Sequence, residues 1–344
     1  MGSEMCIRDS YRPLVQIGPT RPDAALQLAG GWGWFTHVET VSRSKASRVV
    51  DAAELPADVL ARLTTKRAAV AGLSMDRPQI MGILNVTPDS FSDGGQHSEV
   101  SEAVLAGQAM VAAGADIIDV GGESTRPGAD LVATENEIER VSPVIVGLRA
   151  AGVRNAISID TRKAAVAQAA VAAGASLVND VSGFTFDAEL APLCQRQQLP
   201  VCVMHAQGEP ATMHLDPFYD HVLLDVYDAL DRQISFLVES GVRREMIVAD
   251  PGIGFGKTLE HNLALLARIS IFHALGTPLL LGVSRKKFIG TLGQADTPQD
   301  RMAGSIAVAL AGLAQGVQII RVHDVAETRQ AVSLWHASSF GSIL

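Results

Sequence analysis

From Gln79 to the end of the chain, short apolar runs alternate with longer Ala-rich amphipathic stretches. The runs are QIMGILN (Gln79 to Asn85), DIIDVG (Asp116 to Gly121), AISID (Ala156 to Asp160) and SLVND (Ser176 to Asp180). Then come VCVMH (Val201 to His205), MIVAD (Met246 to Asp250), LLLGVS (Leu279 to Ser284) and QIIRVHD (Gln318 to Asp324). An unbroken apolar run of this length is what a strand buried on both faces looks like, and the stretches between are long enough for helices. Eight strand-and-helix units predict an α/β fold, a closed (β/α)8 barrel of the usual ~250 residues. A doubly wound open sheet is the alternative, but it usually needs fewer strands.

Residues 11–78 have a different texture. Pro13, Pro19 and Pro22 precede GGWGWF (Gly30 to Phe35), and a charged, helical-looking stretch runs from Pro56 to Ala71. This reads as an N-terminal extension with a short strand pair and one helix, carrying no catalytic constellation. MCIRDS (Met5 to Ser10) looks like a translated sequencing adapter, so residues 1–10 are set aside from fold reasoning and 79–344 are assigned to the barrel.

The ends of the apolar runs carry the chemistry. Asn85, Glu123, Asp160, Asn179, His205, Asp250, Ser284 and Arg321 stand at or just past them. One strand ending in Asp means little, because turns favour Asp. In a barrel, however, all carboxyl ends meet on one rim, where active sites lie, and eight polar ends there make a catalytic cup.

Composition narrows the contents of that cup. The chain has 344 residues, 47% hydrophobic, 5% aromatic, and rich in Gly, which suits close helix-on-strand packing. A net charge of −9 argues against nucleic acid or an anionic membrane as partner, yet leaves room for a small anionic substrate in a locally positive pocket. The longest uncharged run, Met302 to Ile320, contains Gly, Gln and Ser and reads as a buried helix plus a strand rather than a membrane span. Cys6, Cys194 and Cys202 form neither a CxxC pair nor a metal pattern, which fits a reducing cytoplasm.

Asp160, Asn179, Asp250 and Lys286 could saturate a flat heterocycle bearing ring N–H, amino and carbonyl groups; an Asp can accept from two adjacent N–H groups at once. The competing reading has Asp160 and Asp250 capping the helices that follow. Arg126, Arg285, Lys286, Arg321 and His323 gather cations at the same rim and suggest a phosphate-like anion site. DPGIGFGK (Asp250 to Lys257) fails both the P-loop and the dinucleotide patterns, and reads as a Gly-rich loop that lets backbone pass close to a flat ligand. His205, His214 and His221 lack metal-ligand spacing. A hard cation arriving with a diphosphate and held by Asn85 fits better than an all-protein cage.

MGILNVTPDSFSDGG (Met81 to Gly95), DVGGESTRPGA (Asp119 to Ala129), SIDTRK (Ser158 to Lys163), VNDVSGF (Val178 to Phe184), DPGIGFGK, GVSRKKFIG (Gly282 to Gly290) and IIRVHD (Ile319 to Asp324) follow in order over three quarters of the chain. Together they resemble the dihydropteroate synthase family of pterin-binding TIM barrels. The resemblance implies a homodimer that joins p-aminobenzoate to 6-hydroxymethyl-7,8-dihydropterin diphosphate with release of pyrophosphate, in folate synthesis. Carried over position by position, it implies that Asp160, Asn179, Asp250 and Lys286 bind the pterin, with Met204 and Phe255 lining its slot. Asn85 becomes the Mg²⁺ ligand, and Thr125, Arg126, Arg321 and His323 hold the pyrophosphate. Phe91, Pro127 and Ser284 border the p-aminobenzoate site. Asp160, Lys286 and Arg126 carry the catalysis, and the loops NVTPDSFSDGG and ESTRPG act as a lid. Ala206, Glu209 and Lys287 depart from the common family pattern and bear on affinity.

Two other readings share the barrel. A pterin-dependent methyltransferase keeps the Asp and Asn contacts but has no use for Arg126, Lys286 and Arg321 as a diphosphate site. A non-catalytic pterin-binding paralogue would have no need of intact loop motifs.

Overall fold

The structure, a computed structural model, describes residues 9–87, 95–124, 131–208, 213 and 215–344. Residues 1–8, most of the adapter-like segment including Cys6, lie outside the described residues, as do Phe91, Thr125, Arg126, Pro127, Glu209 and His214.

The extension holds more strand than its sequence suggests. Strands β1 (Ser10–Pro13), β4 (His37–Val41) and β5 (Arg48–Asp51) form an antiparallel sheet with β4 in the middle. A second pair joins β2 (Leu26–Gln27) to β3 (Trp34–Phe35). The one α-helix, α1 (Ala57–Thr64), is shorter than the 56–71 stretch expected, and its last-turn Arg62 pairs with Asp58 four residues earlier. The tail of that stretch leaves the helix because Arg67 turns inward, donating to the carbonyls of Thr65, Arg62 and His273. Trp32 likewise reaches the far end of the chain, donating from Nε1 to the Leu313 carbonyl at 2.8 Å.

The eight apolar runs are the eight strands β6 (Gln79–Asn85), β7 (Ile117–Gly121), β8 (Ala156–Asp160), β9 (Leu177–Asp180), β10 (Val201–Met204), β11 (Ile247–Asp250), β12 (Leu280–Gly282) and β13 (Ile319–Val322). They pair in parallel in the order β11-β10-β9-β8-β7-β6-β13-β12. A further parallel bridge, Ala249 to Leu279, brings the two ends together, so the barrel is nearly closed. The uncharged run resolves as expected into α9 (Met302–Ala314) followed by β13.

Small residues set the helix spacing. In α2 (Gly95–Ala112) a Cβ on Gly107 would stand 2.5 Å from Leu148 of α3 (Thr134–Ala150), and one on Gly147 would stand 2.6 Å from Val104. In α9, a Cβ on Gly312 would meet Leu281 of β12 at 2.5 Å. Each glycine is a close approach that a larger residue would force apart.

Inside the barrel the side chains stack in layers. The lowest is apolar and takes one residue from each strand: Met81, Ile117, Ala156, Leu177, Cys202, Val248, Leu280 and Ile319. Val70 and Met75, buried against this layer, seal the barrel floor from below. Above it, toward the carboxyl ends, the interior turns polar.

Candidate active site

Strand register fixes which residues share the cup. Asn85 lies opposite Gly121, Gly121 opposite Asp160, and Asp160 opposite Asn179. Across the barrel Met204 lies opposite Asp250, and Gly282 opposite Arg321. Parallel strands place paired residues on the same face, so these side chains converge on one interior.

Arg321 is the hub. Its Nε donates to Asp119 Oδ2 at 2.6 Å and its Nη2 donates to Asp160 Oδ2 at 2.8 Å. Asn179 Nδ2 donates to the same Asp119 oxygen at 3.2 Å. Burial pushes the Asp160 carboxyl up to about 7; Arg321 pulls it down, while Asp119, Asp180 and Glu137 add to the rise. For Arg321 the two carboxylates overcome burial and hold it above its ordinary value. The capping alternative is excluded for Asp160: α4 (Ala164–Ala173) starts at Lys163 with no side-chain cap, and Asp160 faces Arg321 instead. Asp250 accepts the Gly252 N–H at 2.7 Å, while the helix after it, α7 (Leu259–Ala267), is capped by Thr258.

Asp250 and Lys286 flank Gly282: a Cβ there would lie 3.9 Å from Asp250 Oδ2 and 4.0 Å from Lys286 Nζ. Lys286 Nζ sits 4.7 Å from the centre of the Phe255 ring and donates to the Ile253 carbonyl. Burial lowers this ammonium to about 8 against the pull of Asp250. Asp250 itself is raised by burial, with Lys286 opposing. The Gly-rich loop owes its glycines to its neighbours as much as to any ligand. Gly252 has φ +66°, and a Cβ on it would strike the His205 carbonyl oxygen at 1.9 Å; Gly256, at φ +62°, would strike Gln207 O at 2.3 Å. These contacts press the β11 loop against the loop that follows Met204 at the end of β10.

Lys257 locks the two loops together. Its buried Nζ lies 2.9 Å from His205 Nδ1 and donates to the Phe255 carbonyl at 3.0 Å. Burial lowers Lys257 to about 7 and takes His205 well below its ordinary value, so a neutral ring nitrogen can accept from the lysine. His205 is therefore a structural partner within the described residues, and His221 caps α6 (Val222–Glu239) by accepting the Leu224 N–H.

On the β12–β13 side, Ser284 Oγ lies 2.9 Å from His323 Nδ1 and accepts the His323 backbone N–H at 3.1 Å. The cation gathering is smaller than the sequence suggests. Arg285 is bound to Asp324 through Nε at 3.1 Å and through Nη2, ahead of α8 (Lys287–Gly293).

Three groups escaped the sequence reading. Asp119 sits inside an apolar run, where a lone acid among Ile and Val was the available signal. Lys257 looked like the end of a Gly-rich loop. Glu123, Arg162, Lys163 and Glu137 form a buried ion network: Lys163 Nζ donates to Glu123 at 2.7 Å, Glu137 at 2.6 Å and the Val132 carbonyl at 2.6 Å, and Arg162 also pairs with Glu123. SIDTRK and the strand-end Glu123 were visible in the sequence, but not that they pair with each other and with Glu137 away from the cup.

The residue pattern of the pterin binding enzyme family matches residues 81–323. The dihydropteroate synthase of Escherichia coli (strain K12) is 46% identical over 266 residues, covering 77% of this chain and 93% of that one. This chain belongs to the dihydropteroate synthase family. The family's solved structures share its fold. The Yersinia pestis dihydropteroate synthase with a sulfonamide drug superposes with a TM-score of 0.74 at 44% identity, over 79% of this chain and 98% of that one. The Xanthomonas albilineans dihydropteroate synthase with 4-aminobenzoic acid gives 0.74 at 43% identity, over 79% and 97%. As in other dihydropteroate synthases, the chain is a transferase on a TIM barrel, and its polar cup occupies the carboxyl ends of the strands.

Proposed function

We propose that the cup binds 6-hydroxymethyl-7,8-dihydropterin diphosphate and p-aminobenzoate and joins them, releasing pyrophosphate. The observation that carries the assignment of residues is the convergence of Asp160, Asn179, Asp250, Lys286 and Arg321 at adjoining strand ends inside one cup. Asp160, Asn179, Asp250 and Lys286 take the pterin, and Met204 and Phe255 wall its slot. Arg321 and His323, with Thr125 and Arg126, hold the diphosphate; Phe91, Pro127 and Ser284 border the p-aminobenzoate.

The chemistry asks little of a base. An arylamine is barely protonated near neutral pH, so the difficult step is expelling pyrophosphate, and cationic side chains lower that barrier by stabilising the leaving charge. Departure of the leaving group leaves a methylene cation conjugated with the dihydropterin ring. Asp160, once ionised, stabilises it from the cup wall; the amine nitrogen then bonds to the methylene carbon and gives up one N–H proton to water, completing a dissociative displacement.

Asn85 is the residue that would hold Mg²⁺. Its Oδ1 would lie 3.8 Å from a Cβ on Gly121, the same point that is 3.9 Å from Asp160 Cγ, so a hard oxygen stands at the mouth of the cup. No cluster of three or more His, Cys, Asp or Glu suited to a metal occurs among the described residues. Mg²⁺ keeps several waters and takes most of its other oxygens from substrate phosphates rather than from an all-protein cage, so one hard amide oxygen completed by phosphate and water fits it. When bound, the ion neutralises charge on the departing pyrophosphate.

Pyrophosphate release that depends on both the pterin diphosphate and p-aminobenzoate tests this reading; pterin binding without release would overturn it. The reading includes a homodimer, as the family resemblance implies, which sedimentation velocity on the purified chain would check, and a cytoplasmic location, which the cysteine usage supports. It also keeps 79–344 as the catalytic barrel behind an extension.

A further inference from the structure

Beneath the residues assigned to the substrate lies a carboxylate with no assigned role. Asp119 is fully buried in mid-β7, one layer below Asp160, since Asp119 pairs in register with Ser158 and Gly121 with Asp160. One of its oxygens, Oδ2, accepts from both Arg321 Nε and Asn179 Nδ2. The other, Oδ1, is buried without a hydrogen-bond partner, as is the Ser158 hydroxyl beside it in register. Burying an ionisable group with an unmet oxygen is unfavourable, and an apolar residue of similar size would serve packing better. The layer below is built in that apolar way.

We propose that Asp119 is a positioning residue that sets both Arg321 and Asn179 for the substrate; this rests on reading the cup as the pterin diphosphate site. Two geometric consequences follow from its being a carboxylate. First, it occupies Arg321 Nε while Asp160 occupies Nη2, so the guanidinium is held at two points and Nη1 is the nitrogen these two acids leave over. A fork held at two points cannot swing, and it presents its remaining donors in one orientation. Second, a carboxylate only accepts, so Asn179 must turn its NH₂ toward Asp119, which leaves Oδ1 as the acceptor at the opposite end of the amide. Asp119 thereby decides which hydrogen-bonding code Asn179 shows to a heterocycle. An amide at position 119 would permit the flipped code.

A double-mutant cycle separates this role from a merely structural one. Wild type, Asp119→Asn, Arg321→Lys, Asn179→Ala and the two doubles that pair Asp119→Asn with each are compared in kcat and in KM for the pterin diphosphate. Asp119→Asn alone should lower kcat/KM about 30-fold, the loss of charge-assisted hydrogen bonds at two partners, with KM for p-aminobenzoate little changed. Each double should fall no further than about 3-fold below its worse single, because residues acting as one unit are not additive. Losses that multiply across the doubles, or Asp119→Asn with near wild-type kinetics, overturn the proposal. Asp119→Ser, which leaves room for a water, is carried through the same cycle in case the amide disturbs folding. Loss of the native near-ultraviolet circular dichroism in both variants would place Asp119 in the framework and also overturn it. A wild-type protein that releases no pyrophosphate would instead defeat the reading of the cup itself.

Discussion

Arg321 and Asp160 meet at 2.8 Å inside the barrel, a cation from β13 and an anion from β8 that stand 161 residues apart in the chain. Both belong to the cup, but the balance differs: the acids keep Arg321 charged against burial, whereas burial raises the Asp160 carboxyl to about 7 in spite of Arg321. A substrate that brings its own negative charge competes with Asp160 for Arg321. A cation forming on the substrate does the reverse and needs Asp160 released and ionised.

Asp160→Asn removes that anion while keeping the shape and one acceptor oxygen. Turnover should fall about 100-fold or more, the usual scale for loss of a preorganised electrostatic contact, with the fold retained by circular dichroism. Near-normal turnover would sink the assignment.

The pH profile should be bell-shaped. Burial pushes Asp160 up to about 7, so the required carboxylate forms as pH rises through that value. Burial lowers Lys286 to about 8, so its ammonium is lost as pH rises further. Plotted as kcat/KM, which reports the free enzyme, activity peaks between the two limbs. Lys286→Arg, whose guanidinium stays charged, should shift or remove the alkaline limb.

Lys163→Met should destabilise the fold by about 3–5 kcal/mol, because it strands the buried carboxylates of Glu123 and Glu137. Burial alone would raise Glu123, but the hydrogen bonds from Lys163 and Arg162 outweigh it and hold the carboxyl below its ordinary value. That stabilisation is complete above the unfolded-state carboxyl pKa and is lost as pH falls through the lower folded value. Urea titrations at neutral and acid pH should therefore show the difference between Lys163→Met and wild type shrinking in acid.

Met75→Ala opens a hole where the extension seals the barrel floor. Removing this fully buried side chain should cost about 3 kcal/mol in urea unfolding. Because the site is at the other end of the barrel, KM for both substrates should stay within about 2-fold, as is usual for distant, independent positions.

The strands were legible because parallel barrel strands are buried on both faces, which leaves unbroken apolar runs ended by polar residues; Gln79–Asn85 and Ala156–Asp160 fall where the runs predict. Asp160, Asn179 and Asp250 were legible for the same reason, as polar ends on a shared rim. Asp119 was not, since a charge inside a run looks like an interruption until register shows it facing Arg321. Arg285 misled because a cation at a strand end looks available, and nothing local reveals that Asp324, on the next strand's loop, claims it. The extension's sheet was obscured because β1 and β4 pair across a separation that holds prolines and glycines, so no short-range hairpin signal marks them.

The barrel's ring closes between its first strand and its last: Gln79 pairs with Ile319, and Trp32 of the extension reaches Leu313. A ribosome must therefore deliver most of the chain before β6 finds its second neighbour, a wait on the order of tens of seconds at ordinary synthesis rates. During that wait the exposed edge of β6 is an open template for mispairing. Closing the ring thus depends on the last strand and the helix before it, and truncation near the carboxyl end should yield aggregates rather than a smaller enzyme.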